Sequence, residues 1–294
     1  MVHLLDLRHD DVGGAVAAGH LYTVDGAHLY DADGPGLPAF TAATRDRELV
    51  VLLHGFNNTR FDGMRSLVRF ARLLRARGVT AMLLAVLWPG DGWAKALTYP
   101  FEGKDADDSA EALVTWINHN VDGSAHISLV AHSLGSRVAM HTAQRLAEMQ
   151  WAGVPRLARV CLMAAAIDSD CLGRVGPTCY RTGALATERI AVLASQEDRV
   201  LARAYPIGDL AQTILYFGER WGSALGLTGP DEDDPAIRAK LETVPRSDAS
   251  RGVDHGHYLD VKTPSDTHTI AHADEFVAGF LTASAAPVWP ATRP

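Results

Sequence analysis

Apolar residues occur in this chain as short continuous runs that alternate with segments of helical periodicity. The runs Glu48–Leu53, Val79–Leu87, Arg159–Ile167 and Glu188–Leu193 are dominated by Val, Leu, Ile and Ala, which is typical of strands buried on both faces. The segment from about Asp62 to Arg77 instead places apolar residues on one helical face and arginines on the other. Such strands alternating with helices predict an α/β fold, with a mostly parallel sheet and helices on both of its faces.

Residues 1–47 have a different pattern. Short β-like pieces around Leu4–Leu7, His20–Thr23 and His28–Tyr30 are separated by turn sequences, among them Asp25-Gly26. An Asp-Gly pair between two β-like pieces indicates a hairpin. We therefore expect residues 1–47 to form antiparallel strands at one edge of the sheet, without chemistry of their own.

The periodicity weakens between Pro206 and Gly252, with only a weak final strand at Leu241–Val244, and returns in a closing helix at Ile270–Leu281. Residues 206–252 are interpreted as an insertion near the site and a candidate lid; ordinary surface packing is an equal alternative. No Pro/Gly/Ser-rich linker or internal repeat divides the chain. We therefore interpret residues 1–294 as a single domain.

A short β-rich run, Ile127–Val130, is followed by Ala131-His132-Ser133-Leu134-Gly135 and then by a segment of helical spacing. A strand, one tight turn and a helix, with a serine at the apex of the turn, is the context of a nucleophile elbow. The residues two before and two after the serine must be small, because strand and helix close tightly around it. Ala131 stands where glycine is usual, and its methyl group still fits.

Charge and composition narrow the class of protein. The net charge of −8 argues against a nucleic-acid partner, which needs concentrated Lys and Arg. The start of the chain lacks the basic-then-apolar pattern of a signal peptide, and the longest uncharged apolar runs are far shorter than a membrane span. Three unpatterned cysteines make a disulfide framework or zinc site improbable. We expect a cytoplasmic enzyme with no cofactor, no bound metal and no membrane partner.

A serine hydroxyl needs a base to accept its proton and an acid to orient that base. Each should follow the end of a strand, since active sites of parallel sheets lie beyond the carboxyl ends of the strands. Asp198, just after the strand Arg189–Ala194, is the favoured acid, and Asp168 is its rival. His257 is the favoured base over His255, because a glycine precedes it in the loop before the closing helix.

The tetrahedral intermediate of such a reaction needs two N–H donors for its oxyanion. We expect them to be the backbone N–H groups of Leu134, after the nucleophile, and Phe56, in a turn that Gly55 makes tight. His54 and Gly55, which precede Phe56, are expected to contact the substrate.

Aromatic residues that follow the second buried strand, Trp88 and Trp93 with Tyr99 and Phe101, are expected to rim an apolar pocket. The alternative for Trp88 is that it simply plugs the end of the sheet. His132, inside the elbow, is interpreted as structural.

The motifs Leu52-Leu53-His54-Gly55-Phe56-Asn57-Asn58, Trp88-Pro89-Gly90, Val130–Val138 and Ala194-Ser195-Gln196-Glu197-Asp198 resemble those of α/β-hydrolases. The chain is most similar to the bacterial branch of poorly characterised hydrolases, the DUF900 type, over about residues 48–281. Gly90 and Leu134 replace the Ser and Met usual there. The resemblance implies an α/β-hydrolase fold and the triad Ser133, Asp198 and His257, but it brings no known substrate.

The sequence therefore predicts a serine hydrolase that cleaves a small-molecule carboxylic ester or thioester through an acyl-enzyme intermediate. One alternative is an acyltransferase that uses the same triad with an alcohol as acceptor. The other is a non-catalytic ligand-binding protein on the hydrolase fold, although binding alone would not require all three side chains. The sequence leaves the oligomeric state open.

Overall fold

The computed structural model describes residues 2–8, 15–26, 28–34, 36–90, 99–149, 153–176, 179–203, 223–245, 253–259 and 267–283, with backbone alone for 99–103 and 243–245. The strands are β1 (Val2–Arg8), β2 (Val16–Asp25), β3 (His28–Asp31), β4 (Glu48–Leu53), β5 (Met82–Leu87), β6 (His126–His132), β7 (Arg156–Met163), β8 (Arg189–Ala194) and β9 (Leu241–Pro245). The helices are α1 (Gly36–Thr44), α2 (Arg60–Ala76), α3 (Tyr99–Asn120), α4 (Gly135–Met149), α5 (Arg181–Ala186), α6 (Leu225–Thr228), α7 (Pro235–Arg238) and α8 (Ala273–Thr282).

All of these strands join one mixed sheet in the order β3-β2-β1-β5-β4-β6-β7-β8-β9. In this order, each neighbouring pair from β1 through β5, β4, β6, β7 and β8 to β9 is parallel. The pairs β1–β2 and β2–β3, at the other end of the sheet, are antiparallel. The predicted fold class is confirmed, including the antiparallel edge within residues 1–47. The carboxyl ends of β4, β6 and β8 lie at one side of the sheet, where the site residues are expected.

The interior strands are buried on both faces, as their unbroken apolar sequences predict. Residues Leu49–Leu53 of β4 are almost wholly inaccessible to solvent. Beside β4, helix α2 begins at a Thr59 cap whose hydroxyl oxygen accepts the N–H of Asp62, and its apolar face packs on the sheet. The chain leaves α2 through Gly78, whose φ of +86° is costly for other residues.

Part of the predicted insertion belongs to the sheet. Strand β9 lies inside residues 206–252 and pairs in parallel with β8. Residues 204–222 and 246–252 lie outside the described residues, so the proposed lid and the single-domain interpretation stay predictions. Within the described ranges, no helix combines the length and apolar composition needed to cross a bilayer.

Candidate active site

Ser133 lies at the apex of a strained turn between β6 and α4. Its φ is +54°, a conformation that costs energy for any residue with a side chain. Its backbone N–H donates to the carbonyl oxygen of Met163 at 2.9 Å, which holds the turn against the next strand. A Cβ atom on Gly135 would lie 2.3 Å from the carbonyl oxygen of His54, so only glycine fits there. The turn has the geometry that the sequence predicts for a nucleophile elbow.

A continuous chain of hydrogen bonds connects Ser133 with a histidine and a carboxylate. The Nε2 atom of His255 lies 2.8 Å from the Ser133 hydroxyl oxygen, and its Nδ1 atom lies 2.7 Å from Oδ2 of Asp198. A carboxylate only accepts, so Nδ1 carries the proton and Nε2 is left to accept the proton of the hydroxyl. This tautomer is the one that a general base toward Ser133 requires.

Asp198 is wholly buried, and both of its carboxylate oxygens have partners. Oδ1 accepts the backbone N–H groups of Val200 and Leu201 at 3.0 and 2.9 Å, while Oδ2 accepts from His255. The residue therefore caps the helical turn that follows it and orients the imidazole at the same time. Because Asp198 holds this position, its rival Asp168 does not; the backbone of Asp168 instead forms a β-bridge with Ala224.

The choice of His257 as the partner of Ser133 is wrong. His255 and His257 occupy the same 3₁₀ turn, which Asp254 caps. The Nδ1 atom of His257 accepts the backbone N–H of Asp254 at 3.0 Å, so its imidazole folds back over the start of the turn. The sequence does contain a signal for this arrangement: an N-cap Asp with a polar residue three positions later is the pattern of a capping box. His257 occupies the N3 position of that pattern, and His255 projects toward the site.

The turn that carries His255 is fastened to the turn that carries Asp198. The hydroxyl of Ser195 donates to the carbonyl oxygen of Val253 at 2.7 Å, and the backbone N–H of Arg199 donates to Oδ1 of Asp254 at 3.3 Å. Because these bonds flank the imidazole–carboxylate pair, they maintain the distance between His255 and Asp198.

His132 supports His255 from the elbow itself. Its Nε2–H donates to the carbonyl oxygen of His255 at 2.8 Å, and the two rings lie 4.9 Å apart. Burial, reinforced by the neighbouring His255, lowers the pKa of His132 to about 3, so the ring is neutral at pH 7. The interpretation of His132 as structural omitted this contact, which no local pattern reveals because its partner is distant in sequence.

The positions of His54 and Trp88 contradict the prediction that they contact the substrate, because neither side chain is accessible to solvent. Both side chains are fully buried and their rings are stacked. The indole N–H of Trp88 donates to the carbonyl oxygen of His54 at 2.8 Å, and Nδ1–H of His54 donates to the carbonyl oxygen of Gly55 at 2.8 Å. Burial lowers the pKa of His54 to about 4. The alternative, that Trp88 plugs the end of the sheet, is the correct one.

The loop with the predicted oxyanion donor lies against the elbow. A Cβ atom on Gly55 would lie 2.8 Å from Cβ of Ser133, so glycine is needed for this approach. The side-chain amide of Asn58 donates to the carbonyl oxygens of Gly55 and Phe56 at 2.8 and 3.2 Å, and the N–H of Asn57 donates to Gly90. These bonds hold the loop in place.

The oxyanion roles of the backbone N–H groups of Phe56 and Leu134, and substrate contact by Gly55, stay predictions. Trp93 lies outside the described residues, as do the side chains of Tyr99 and Phe101. Across the part of the chain that is described, no three His, Cys, Asp or Glu side chains are grouped to hold a metal ion.

The parallel sheet, the strained elbow after β6 and the Ser133–His255–Asp198 geometry define an α/β hydrolase. Residues 37–212, more than half of the chain, match the family described as "Alpha/beta hydrolase of unknown function (DUF900)". The chain belongs to this family. A comparison with curated proteins gives no match.

Solved structures with a similar chain path include a putative hydrolase from Agrobacterium vitis S4, with 13% identity, a TM-score of 0.44 and coverage of 81% of this chain and 90% of that one. Esterase PE8 has 14% identity and a TM-score of 0.41, with 81% and 92% of the two chains covered. Thermogutta terrifontis esterase 2 in its apo form has 12% identity and a TM-score of 0.41, with 81% and 84% covered.

Proposed function

We propose that this protein hydrolyses carboxylic esters or thioesters of small molecules through an acyl-enzyme intermediate. The observation that carries the proposal is the unbroken hydrogen-bond chain from Asp198 through His255 to a serine on a strained elbow. Backbone strain at a non-glycine residue costs energy and is found mostly at functional sites. A buried carboxylate that orients an imidazole toward a hydroxyl is the arrangement that activates a nucleophile.

In the proposed reaction, Ser133 Oγ attacks the carbonyl carbon while His255 Nε2 accepts its proton. Asp198 keeps the imidazole in the required tautomer and stabilises the imidazolium that forms. The backbone N–H groups of Leu134 and Phe56 donate to the developing oxyanion. His255 then protonates the leaving alcohol or thiol, and a water molecule activated by the same imidazole releases the acid from Ser133.

The first test is covalent labelling of the purified protein by a fluorophosphonate probe. We expect wild-type protein to be labelled and Ser133→Ala to remain unlabelled, because the probe requires an activated serine. A series of p-nitrophenyl esters and acyl thioesters of increasing chain length then measures kcat/KM and defines the acyl group. An absence of labelling and of turnover in folded wild-type protein would refute the proposal and favour a ligand-binding role.

A matched pair of variants tests the assignment of the base. His255→Gln should lower kcat by roughly 10⁴-fold or more, because the serine loses its proton acceptor. His257→Gln should retain kcat within about tenfold, since that imidazole accepts only the N–H of its own turn. Equal losses in the two variants would contradict the assignment.

A separate assay distinguishes hydrolysis from acyl transfer. If an added alcohol accepts the acyl group in place of water, so that an ester rather than the free acid is formed, the protein is an acyltransferase.

A further inference from the structure

A trough lies between α2 and the hairpin of β2 and β3, apart from the Ser133 site. Two adjoining cavities of about 360 and 790 Å³ share Leu29, Phe61 and Met64. Their lining residues on α2 extend from Arg60 to Ala76, about 24 Å at the rise of an α-helix. Volumes in this range are typical of sites for small ligands rather than for protein domains. The trough therefore suits a narrow, elongated molecule.

The walls of the trough are apolar and unusually exposed. Phe61 on α2 is 62% exposed, and Leu29 on β3 is 42% exposed. Two of the six large hydrophobic residues that are exposed in the described chain, Leu29 and Phe61, line this trough together. Clustered exposure of this kind marks a binding surface, whereas single exposed apolar residues do not.

The rim of the trough is cationic. Arg65, Arg69 and Arg72 line it from one helical face of α2, and no Asp or Glu is among the described residues that line either cavity. Arg65 is exposed, and Arg72 donates to the carbonyl oxygen of Gly26, an acceptor without net charge. In a chain with a net charge of −8, this local excess of positive charge favours an anionic ligand.

One wall of the trough is not part of the matched family region. The hairpin residues Val24, Gly26, His28 and Leu29 precede residues 37–212. The trough therefore combines a helix of the hydrolase fold with a chain segment that lies outside the family match.

We propose that the trough binds a single-chain anionic amphiphile, with its alkyl chain along Phe61, Leu29 and Met64 and its carboxylate or phosphate head group at Arg65 and Arg72. Arginine suits either head group, because its planar guanidinium pairs with both in bidentate geometry. The proposal does not depend on the esterase activity, because none of these residues belongs to the Ser133, His255 and Asp198 group.

The experiment measures fluorescence of a dansyl-labelled undecanoate, below its aggregation concentration, titrated with Ser133→Ala protein. The double variant Arg65→Gln/Arg72→Gln, in the same background, should bind it about tenfold more weakly, since two charge-assisted contacts are lost. The matched control Arg45→Gln/Arg174→Gln removes the same charge from exposed positions elsewhere and should bind unchanged. Phe61→Ser should also weaken binding. Dodecanoate and dodecyl phosphate should displace the probe, and dodecanol should displace it poorly.

Three outcomes would overturn the proposal. The first is equal affinity of the double variant and its control, and the second is displacement by dodecanol as effective as by dodecanoate. The third is binding only to phosphatidylcholine vesicles that contain phosphatidylglycerol, which would indicate a membrane-facing surface. Fluorophosphonate labelling of the same arginine variants with Ser133 retained reports separately on the proposed active site, so the two proposals can fail independently.

Discussion

Two of the histidine–carboxylate pairs in the described chain have nearly the same distance between imidazole and carboxylate. At the carboxyl edge of the sheet, His255 Nδ1 lies 2.7 Å from Asp198. Between α3 and α4, His141 Nδ1 lies 3.0 Å from Asp107. Distance alone does not distinguish a catalytic pair from a structural one.

The surroundings of the two pairs differ. Asp107 also accepts two hydrogen bonds from the guanidinium of Arg137, at 2.9 and 2.8 Å, and the second nitrogen of His141 lies 3.2 Å from a carboxylate oxygen of Glu111. The hydrogen bond to Asp107, the largest cause, raises the pKa of His141 above its ordinary value. This imidazole is therefore stabilised as a cation that links two helices.

The second nitrogen of His255, by contrast, faces a hydroxyl group. The remaining oxygen of Asp198 accepts backbone N–H groups instead of a guanidinium. An imidazole in this setting can accept a proton and return it. The two pairs therefore differ in the partner of the far nitrogen, which is a hydroxyl group at His255 and a second carboxylate at His141.

The largest expected difference between the pairs comes from replacing the two carboxylates. Asp198→Asn should lower kcat by roughly 10³–10⁴-fold, because an amide no longer selects the tautomer that accepts from Ser133. Asp107→Asn should leave kcat within about threefold but lower the free energy of unfolding by about 1–3 kcal/mol, since Arg137 and His141 lose a charged acceptor. Steady-state kinetics and urea denaturation of both variants measure these effects. A loss of kcat in Asp107→Asn as large as in Asp198→Asn would contradict the structural role of the second pair.

A smaller effect is expected at His132, which positions the base without touching a reacting atom. His132→Phe keeps an aromatic ring but removes the N–H that holds the carbonyl oxygen of His255. We expect kcat to fall about tenfold with KM little changed, because one hydrogen bond of about 1 kcal/mol orients the turn. His132→Gln, which restores a donor, should recover part of the loss. If the two variants lose kcat equally, packing rather than this hydrogen bond positions His255.

The smallest effect concerns the pH dependence of stability at His141. Its folded pKa is raised, so the stabilisation is fully present below the unfolded pKa of about 6.5 and is lost as the pH rises through the folded pKa. Wild type should exceed His141→Gln in free energy of unfolding by about 0.5–1 kcal/mol near pH 6, and the difference should shrink toward about pH 9. Urea denaturation at several pH values measures it. A difference that grows with pH would contradict the sign of this linkage.

His54 and His132 contribute a pH dependence of stability with the opposite sign to that of His141, because burial lowers their pKa values. Their stabilising contribution is lost as the pH falls from about 6.5 toward their folded pKa values. Both residues are present in wild type and in His141→Gln, so the comparison of those two proteins cancels their contribution.

Sequence patterns were sufficient wherever the controlling interactions are local. The apolar runs of β4, β5, β7 and β8 predict buried parallel strands, and the strand–Ser133–helix order predicts the elbow. Asp198, predicted because it closely follows a strand whose end must lie at the edge of the sheet, is the carboxylate that contacts the imidazole of His255; its catalytic role stays a prediction. The same reasoning failed for Trp88, since a residue just past a strand can turn inward to cover the core as readily as it can face a pocket.

The choice between His255 and His257 has a local cause and a distant one. Both imidazoles lie in one short turn, and their directions differ because Asp254 caps that turn through the ring of His257. His132 and Ser195, from two other strand ends, then hold the backbone of the turn so that His255 meets Ser133. The local capping box therefore turns His257 away, but only the docking of the turn against the ends of β6 and β8 brings His255 to Ser133, because a hydrogen bond between distant segments requires a position that neighbouring residues do not specify.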